Sequence, residues 1–238
     1  MPIKSLPVRA VLIALFASPC ALTQAASLQV APVLVEVPAP GAASTLQLRN
    51  EGNRPLDAQI RIFRWTQVGG NDTLTPTSDV AASPPLASLR PNTDYTVRIV
   101  RTSKAPVAKE EAYRLLIDEL PAPATSQSAT VNIALRYSIP VFFTVPGNAP
   151  KLSFELQQRA SKPAILVSNA GDRRIRLSKL KFVDARGGTA DFGDGLAGYV
   201  LGHSTRVFAV PASAKAFGAG GVVAISAQSD VGPIDMKR

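Results

Sequence analysis

Few side chains in this sequence are of the types that break bonds or hold metals. The 238-residue chain carries one histidine, His203, and one cysteine, Cys20. A Ser–His–Asp arrangement would have to use His203, and no glycine-flanked nucleophile elbow accompanies it. The reading is a surface histidine in a turn. No zinc-type site can be assembled from nitrogen and sulfur ligands in so small a set. Asp191 and Asp194, in D-F-G-D-G, outline a calcium loop only loosely, because the regular oxygen-ligand spacing is missing. A tight acidic turn is expected there. Asp118 and Glu119 are adjacent, so on a strand they point to opposite faces and cannot flank one bond as acid and base. No phosphate-cradling glycine motif is present in the sequence. Trp65 and Tyr113 are expected in a core rather than stacked on a ligand. These residues together predict a protein that is not an enzyme and needs no cofactor and no metal.

What remains is the chemistry of the main chain. Residues 128–145 read S-A-T-V-N-I-A-L-R-Y-S-I-P-V-F-F-T-V. Val131, Ile133 and Leu135 fall at every second position, the period of a β-strand. The run follows a loop of small and polar residues at 121–127 and ends at the turn signal Pro146-Gly147. At about 18 residues it is far longer than an ordinary strand. Two readings are open. The apolar positions line the protein's own core, or they belong to an edge strand that offers them, with its unpaired N–H and C=O groups, to another chain.

The elements around this run set its context. The N-terminus carries Lys4 and Arg9, then the apolar run 10–17, then small residues up to Ala26. That is the pattern of a secretory signal peptide over 1–26, cut near Ala25 or Ala26. The apolar run is too short to span a bilayer, so an exported protein without stable membrane insertion is expected. Cys20 precedes the cut. The mature chain then has no disulfide and must be held together by its core. The net charge is +9, but the basic residues are dispersed and accompanied by no nucleic-acid motif. No nucleic-acid partner is expected. An acidic or carboxylate-bearing protein partner fits the charge better.

The 20 prolines punctuate short β-favouring runs, the pattern of a β-sandwich. Strands are expected at 28–37 (kinked at Pro32 and hence at a sheet edge), 44–50, 57–67, 80–83, 95–102, 110–120 and 128–145; by composition 110–120 could also be a helix, but the surrounding pattern favours a strand. That number suffices for one immunoglobulin-like sandwich. After a linker at 145–150 the pattern restarts at 152–157, 164–169, 175–184, 198–211 and 222–228. The segment 69–72 reads as a loop and 84–92 as a connection. The domain reading is therefore 27–146 and 147–238.

Several motifs stand in the order found in periplasmic pilus chaperones of the chaperone–usher system, and the chain resembles that family. They are S-T-L-Q-L-R-N at 44–50, P-P-L-A-S-L-R-P-N at 84–92, T-V-R-I-V-R-T at 96–102, E-E-A-Y-R-L-L-I-D-E-L-P at 110–121 and V-N-I-A-L-R-Y-S-I-P-V-F-F at 131–143. The resemblance implies an all-β protein of two immunoglobulin-like β-sandwich domains in an L-shaped arrangement. It implies an ATP-independent chaperone that folds pilin subunits by donor-strand complementation and delivers them to an outer-membrane usher. It makes Val131, Ile133 and Leu135 the donated residues.

One departure matters. Common members anchor the subunit's C-terminal carboxylate on two basic residues, one on the first strand and one late in the long strand. The motifs place Pro32 and Pro140 at those positions here. The sequence is more similar to the archaic branch, the spore-coat-U-like or Csu-type chaperones, in which an arginine on the preceding strand is thought to take over. In this chain that is Arg114, with Arg98 and Arg101 as helpers. A planar guanidinium meets a carboxylate through two parallel hydrogen bonds. The alternative for Arg114 is a structural salt bridge to Glu111, Asp118 or Glu119. Two rival functions are a structural pilin or adhesin subunit and an exported immunoglobulin-like binding module.

Overall fold

The structure, a computed structural model, describes residues 28–120, 134–159, 162–214, 217–218 and 220–237. Every regular element among them is a strand. The first half holds β1 (Leu28–Ala31), β2 (Val35–Pro38), β3 (Ala43–Asn50), β4 (Leu56–Val68), β5 (Asn71–Pro76), β6 (Val80–Ser83), β7 (Leu86–Leu89), β8 (Asp94–Arg101), β9 (Glu111–Leu120) and β10 (Arg136–Thr144). They form two sheets, one in the order β1-β3-β8-β6 and the other in the order β2-β10-β9-β4-β5, with β7 also on β4. Side chains alternate as the pleat requires. Leu46 and Leu48 on β3, Val97 and Ile99 on β8, and Tyr113, Leu115 and Ile117 on β9 meet in one core between the sheets. Tyr113 is wholly buried.

The expected first strand at 28–37 is two strands in two sheets. The chain leaves one sheet after Ala31 and joins the other at Val35. Pro32 stands in the crossing, where its missing N–H breaks no ladder. Residues 69–72, read as a loop, hold the turn of a hairpin. Gly69 and Gly70 have φ of +61° and +86°. Positive φ at both central residues is what a two-residue type I′ turn demands. Residues 86–89, read as a connection, pair with β4 as β7.

The second half holds β11 (Leu152–Arg159), β12 (Lys162–Asn169), β13 (Ile175–Asp184), β14 (Thr189–Asp191), β15 (Leu196–Val200), β16 (Ser204–Ala209), β17 (Val222–Ser229) and β18 (Gly232–Lys237). Its sheets run β11-β12-β16 and β14-β13-β17-β18, with β15 also on β13. A second apolar core, including Ile165, Leu177, Phe182 and Ile225, lies between them. The expected strand at 198–211 is divided: β15 and β16 sit in different sheets, and the break is at Gly202 and His203, the latter with φ +54°. His203 is exposed and faces Asp172 at 2.6 Å. Asp191 accepts the Gly193 N–H at 2.8 Å and closes the acidic turn. β18 lies beyond the strand expected to be last.

An ion pair ties the two sheets of the first half. Arg101, at the end of β8, donates from Nε and Nη2 to Glu111 at 2.9 and 2.8 Å. Its Nη1 bonds the carbonyls of Ser103 and Ala105, both at 2.7 Å. The Arg101 hydrogen bond, with help from Tyr113, holds the Glu111 carboxyl below its ordinary value despite burial. A depressed folded-state pKa gives stability that is present above the ordinary value of 4.5 and is lost as pH falls through the folded-state value. Glu111→Gln should therefore show a shallower loss of melting temperature on acidification below pH 4.5 than the parent chain. Thermal melts at stepped pH check this, and parallel curves for the two proteins would refute it.

Candidate functional site

β10 is only half enclosed. Residues 136–143 pair antiparallel with β9, Arg136 opposite Asp118 and Pro140 opposite Arg114. On the other side β2 pairs with residues 141–144 alone. Residues 136–140 thus form a sheet edge among the described residues. The Glu119 N–H donates to the Leu135 carbonyl at 2.9 Å. The strand period then turns the main-chain groups of residues 135, 137 and 139 toward β9. Those of Arg136 and Ser138 turn outward, unclaimed by any strand among the described residues. Pro140 shares this outward parity, so its lack of an N–H removes no bond to β9.

The side chains of this edge divide the same way. Leu135, which is half-buried, shares its parity with Tyr137, Ile139, Val141 and Phe143, which face the first core. Val131 and Ile133 lie outside the described residues. Arg136, Ser138 and Pro140 take the opposite face. Arg136 and Arg61 both pair with Asp118, the Arg61 contact at 2.5 Å. Burial alone would raise the Asp118 carboxyl, but the two arginines outweigh it and hold it low.

That outer face meets the second half. Trp65, Ala112 and Phe142 are buried against Tyr199 and Leu201, with the Trp65 and Tyr199 ring centres 5.5 Å apart. Gln67 completes the junction like a piece of strand. Its Nε2 donates to the Tyr199 carbonyl at 2.8 Å and its Oε1 accepts the Leu201 N–H at 3.0 Å. Arg174 adds a buried ion network. It is 1% exposed, donates to Glu110 at 2.6 Å, reaches Glu36, and lies 3.7 Å above the Phe142 ring.

Beside this junction opens a cleft of ≈ 470 Å³. Arg114, Ser138 and Pro140 form one wall; Arg176, Leu196 and Tyr199 form the other. Arg114 is stacked 3.7 Å from the centre of the Trp65 ring and 5.6 Å from that of Tyr199. Its Nη1 donates to the Ser138 carbonyl at 3.3 Å. Among the described residues no carboxylate lies within ion-pair distance of it. The three acids considered as structural partners are otherwise placed. Glu111 is held by Arg101 and Asp118 by Arg61 and Arg136, while Glu119 makes no ion pair among the described residues. Burial pulls the Arg114 pKa below the ordinary guanidinium value, offset in part by Asp72 and Tyr199. This is a positioned cation with room for an anion.

The profile of the family described as "Pili and flagellar-assembly chaperone, PapD N-terminal domain" matches residues 27–148, half of the chain. The chain belongs to that family. Membership in this chaperone family places it outside the enzymes.

Relatives and solved structures are similar to this chain. It is 25% identical over 145 residues to the uncharacterized fimbrial chaperone YcbF of Escherichia coli (strain K12), covering 59% of this chain and 61% of the relative. The chain thus spans about 61% of the length of the curated relative it matches. Among solved structures it is similar to the CsuC–CsuE chaperone–tip adhesion subunit pre-assembly complex from archaic chaperone-usher Csu pili of Acinetobacter baumannii. The TM-score is 0.70 at 26% identity, covering 89% of this chain and 96% of that chain. It shares its fold with the Salmonella enterica SafA pilin–SafB chaperone complex (TM-score 0.60, 17% identity, 91% and 98% covered) and with the Escherichia coli chaperone DraB (0.56, 20%, 89% and 98%).

The three arginines singled out in the sequence are not brought together. Arg114 reaches the cleft. Arg101 is clasped by Glu111 at the far end of β8, and Arg98 is exposed on β8 in the other sheet, opposite Thr45 and Ser83. The cleft residues Arg176 and Leu196 went unmarked in the sequence, because nothing in their neighbourhood carries a motif. Only the pairing of β13 with β15 places them opposite Arg114.

Proposed function

We propose that this chain is a periplasmic chaperone of the archaic type that folds pilin subunits by donor-strand complementation, without ATP. The observation that carries the reading is the half-open β10. It offers outward main-chain groups at Arg136 and Ser138 beside an apolar position, Leu135, that continues the core parity. Period two extends that parity to Ile133 and Val131 in the sequence. A subunit lacking one strand would pair with this edge and seat those side chains in its own groove.

The edge leads into the cleft. β2 runs parallel to β10 from Val35 onward, with Val33 and Leu34 just before it on the cleft wall. A strand that pairs with residues 136–140 and runs parallel to β10 ends against Leu34, beside Arg114. A subunit held this way presents its terminal carboxylate to that guanidinium. The Csu complex, a chaperone with its tip adhesion subunit, supports this reading. So does the pairing of edge and anchor on neighbouring strands. Export by cleavage near Ala25 or Ala26, delivery to an outer-membrane usher, and domain limits at 27–146 and 147–238 belong to the same proposal.

Arg114→Ala tests the anchor. Loss of a charge-assisted contact of about 1.5–3 kcal/mol should weaken subunit binding roughly tenfold to hundredfold. The cation–π stack that is lost with it is worth only about 0.5–2 kcal/mol of stability. Titration of a denatured pilin subunit into each protein, with melts in parallel, separates the two effects. Unchanged binding would remove Arg114 from the site.

A further inference from the structure

The cleft holds a second cation that the known anchors of the fold do not predict. Arg176 lies on β13, across from Tyr199 on β15. Tyr199 is the same ring that Arg114 approaches at 5.6 Å. Directly paired strand residues stand about 5 Å apart at Cβ, so the second half brings a guanidinium to the wall facing Arg114. The Arg176 main-chain N–H is held by Asp230 at 2.9 Å, which fixes the backbone and leaves the side chain exposed. Among the described residues its guanidinium has no ion pair. Among the described residues, Asp194 is the one acidic residue lining the cleft, against the two arginines.

The rim is apolar. Val33 is 69% exposed on the first half and Leu196 is 59% exposed on the second, and both line the cleft. Exposed large aliphatics at the mouth of a charged cleft mark a contact surface. A carboxylate offers about four acceptor positions and accepts from two guanidinium groups at once. Both arginines line the cleft, so an anion that enters meets a guanidinium on either wall.

We propose that Arg176 is the second arm of a carboxylate clamp with Arg114, and that Val33 and Leu196 select an apolar side chain on the terminal residue it holds. The occupant is the C-terminus of a subunit ending in an apolar residue. Because the two arms come from the two halves of the chain, the clamp works only while the Trp65–Tyr199 junction holds them in register. This inference rests on the anchor reading of Arg114, and the test separates the two.

The probes are an acetylated Gly-Ser-Gly-Phe peptide with a free C-terminal carboxylate, the same peptide as its C-terminal amide, and an acetylated Gly-Ser-Gly-Asp peptide. Each is titrated into the full chain and followed by NMR shifts, with Arg114→Ala, Arg176→Ala and Arg176→Gln alongside. The free-acid Phe peptide should bind, and each arginine variant should weaken it about tenfold. The amide and the Asp peptide should bind the parent chain at least about tenfold more weakly. If both Arg176 variants bind within twofold of the parent while Arg114→Ala does not, the second arm is overturned and the anchor stands. If the Asp peptide binds as well as the Phe peptide, the apolar selection is overturned. If the acid binds the parent no better than its amide, or neither arginine matters, both readings fall. Exposed Arg176 variants should keep the parent melting temperature, so a loss of binding is read at the site.

Discussion

Replacing Arg174 by alanine is expected to lower stability by about 3–5 kcal/mol, the cost of leaving a buried carboxylate without its partner. Arg174 is 1% exposed and Glu110 is 3% exposed. Their side chains meet at 2.6 Å, and Glu110 also accepts the Arg174 main-chain N–H at 2.9 Å. Burial already outweighs the arginine's attraction and pushes the Glu110 carboxyl above its usual range. Without Arg174 that carboxyl must take up a proton or draw in water. The network is not fully satisfied, since Arg174 Nε and Asp230 Oδ2 have no hydrogen-bond partner. Its advantage over a well-packed apolar replacement is therefore small, while the loss on truncation is large. The double variant Arg174→Met with Glu110→Gln should recover most of the lost stability. Denaturant midpoints for the three proteins check this. A loss under about 1 kcal/mol for Arg174→Ala, against the range expected for a broken buried pair, would show that the Arg174 network adds little to the junction. Since β10, β9 and β13 frame the cleft, loosening this junction should also weaken any ligand held across it.

The second large effect concerns binding rather than stability. The pair Ile133→Glu and Leu135→Glu should abolish subunit capture. Burying Ile and Leu is worth about 1.5–3 kcal/mol each, and a buried unpaired carboxylate adds a penalty of its own. A loss of at least about 4 kcal/mol is roughly a thousandfold in affinity. The chain alone should stay folded, because Leu135 is only half-buried and precedes the first residue of β10. Co-purification with a co-expressed pilin subunit and melting of the chain by itself separate the two effects. Retained capture with an unchanged melting temperature would remove Leu135 and Ile133 from the donated strand.

Much of this arrangement was legible in the residues. Period-two alternation marked β3 and β-favouring residues marked β8, where every second side chain enters a core, Leu48 and Ile99 being wholly buried. β9 has the composition of a helix, and only the strand pattern around it pointed to the strand that buries Tyr113, Leu115 and Ile117. The pattern spoke less plainly at the margins of the cores. β18 alternates only between intermediate and exposed, with Ile234 and Met236 packed on the second core from the sheet's last strand. β5 is short, polar and mostly exposed, and the turn of its hairpin at Gly69-Gly70 read only as a loop. The division of 198–211 into β15 and β16 follows from one residue, His203, at positive φ, which the apolar run masked. Arg114 was legible because its neighbours on β9 form a recognisable phrase. Its isolation from every nearby acid was not. That depends on Arg101 claiming Glu111, and on Arg61 and Arg136 claiming Asp118, contacts made between residues far apart in the chain. Arg176 had no local signal at all: its place in the cleft comes from the pairing of β13 with β15.

The most direct measurement is amide hydrogen exchange along β10 in the free chain and in a one-to-one complex with a pilin subunit. The Arg136 and Ser138 amides face away from β9 and have no strand partner among the described residues. They should exchange fast in the free chain and slow by at least about a hundredfold in the complex, as expected for amides drawn into a strand ladder. The Tyr137 and Ile139 amides, bonded to β9, should change little. A stable complex in which the Arg136 and Ser138 amides exchange as fast as in the free chain would contradict strand donation through this edge.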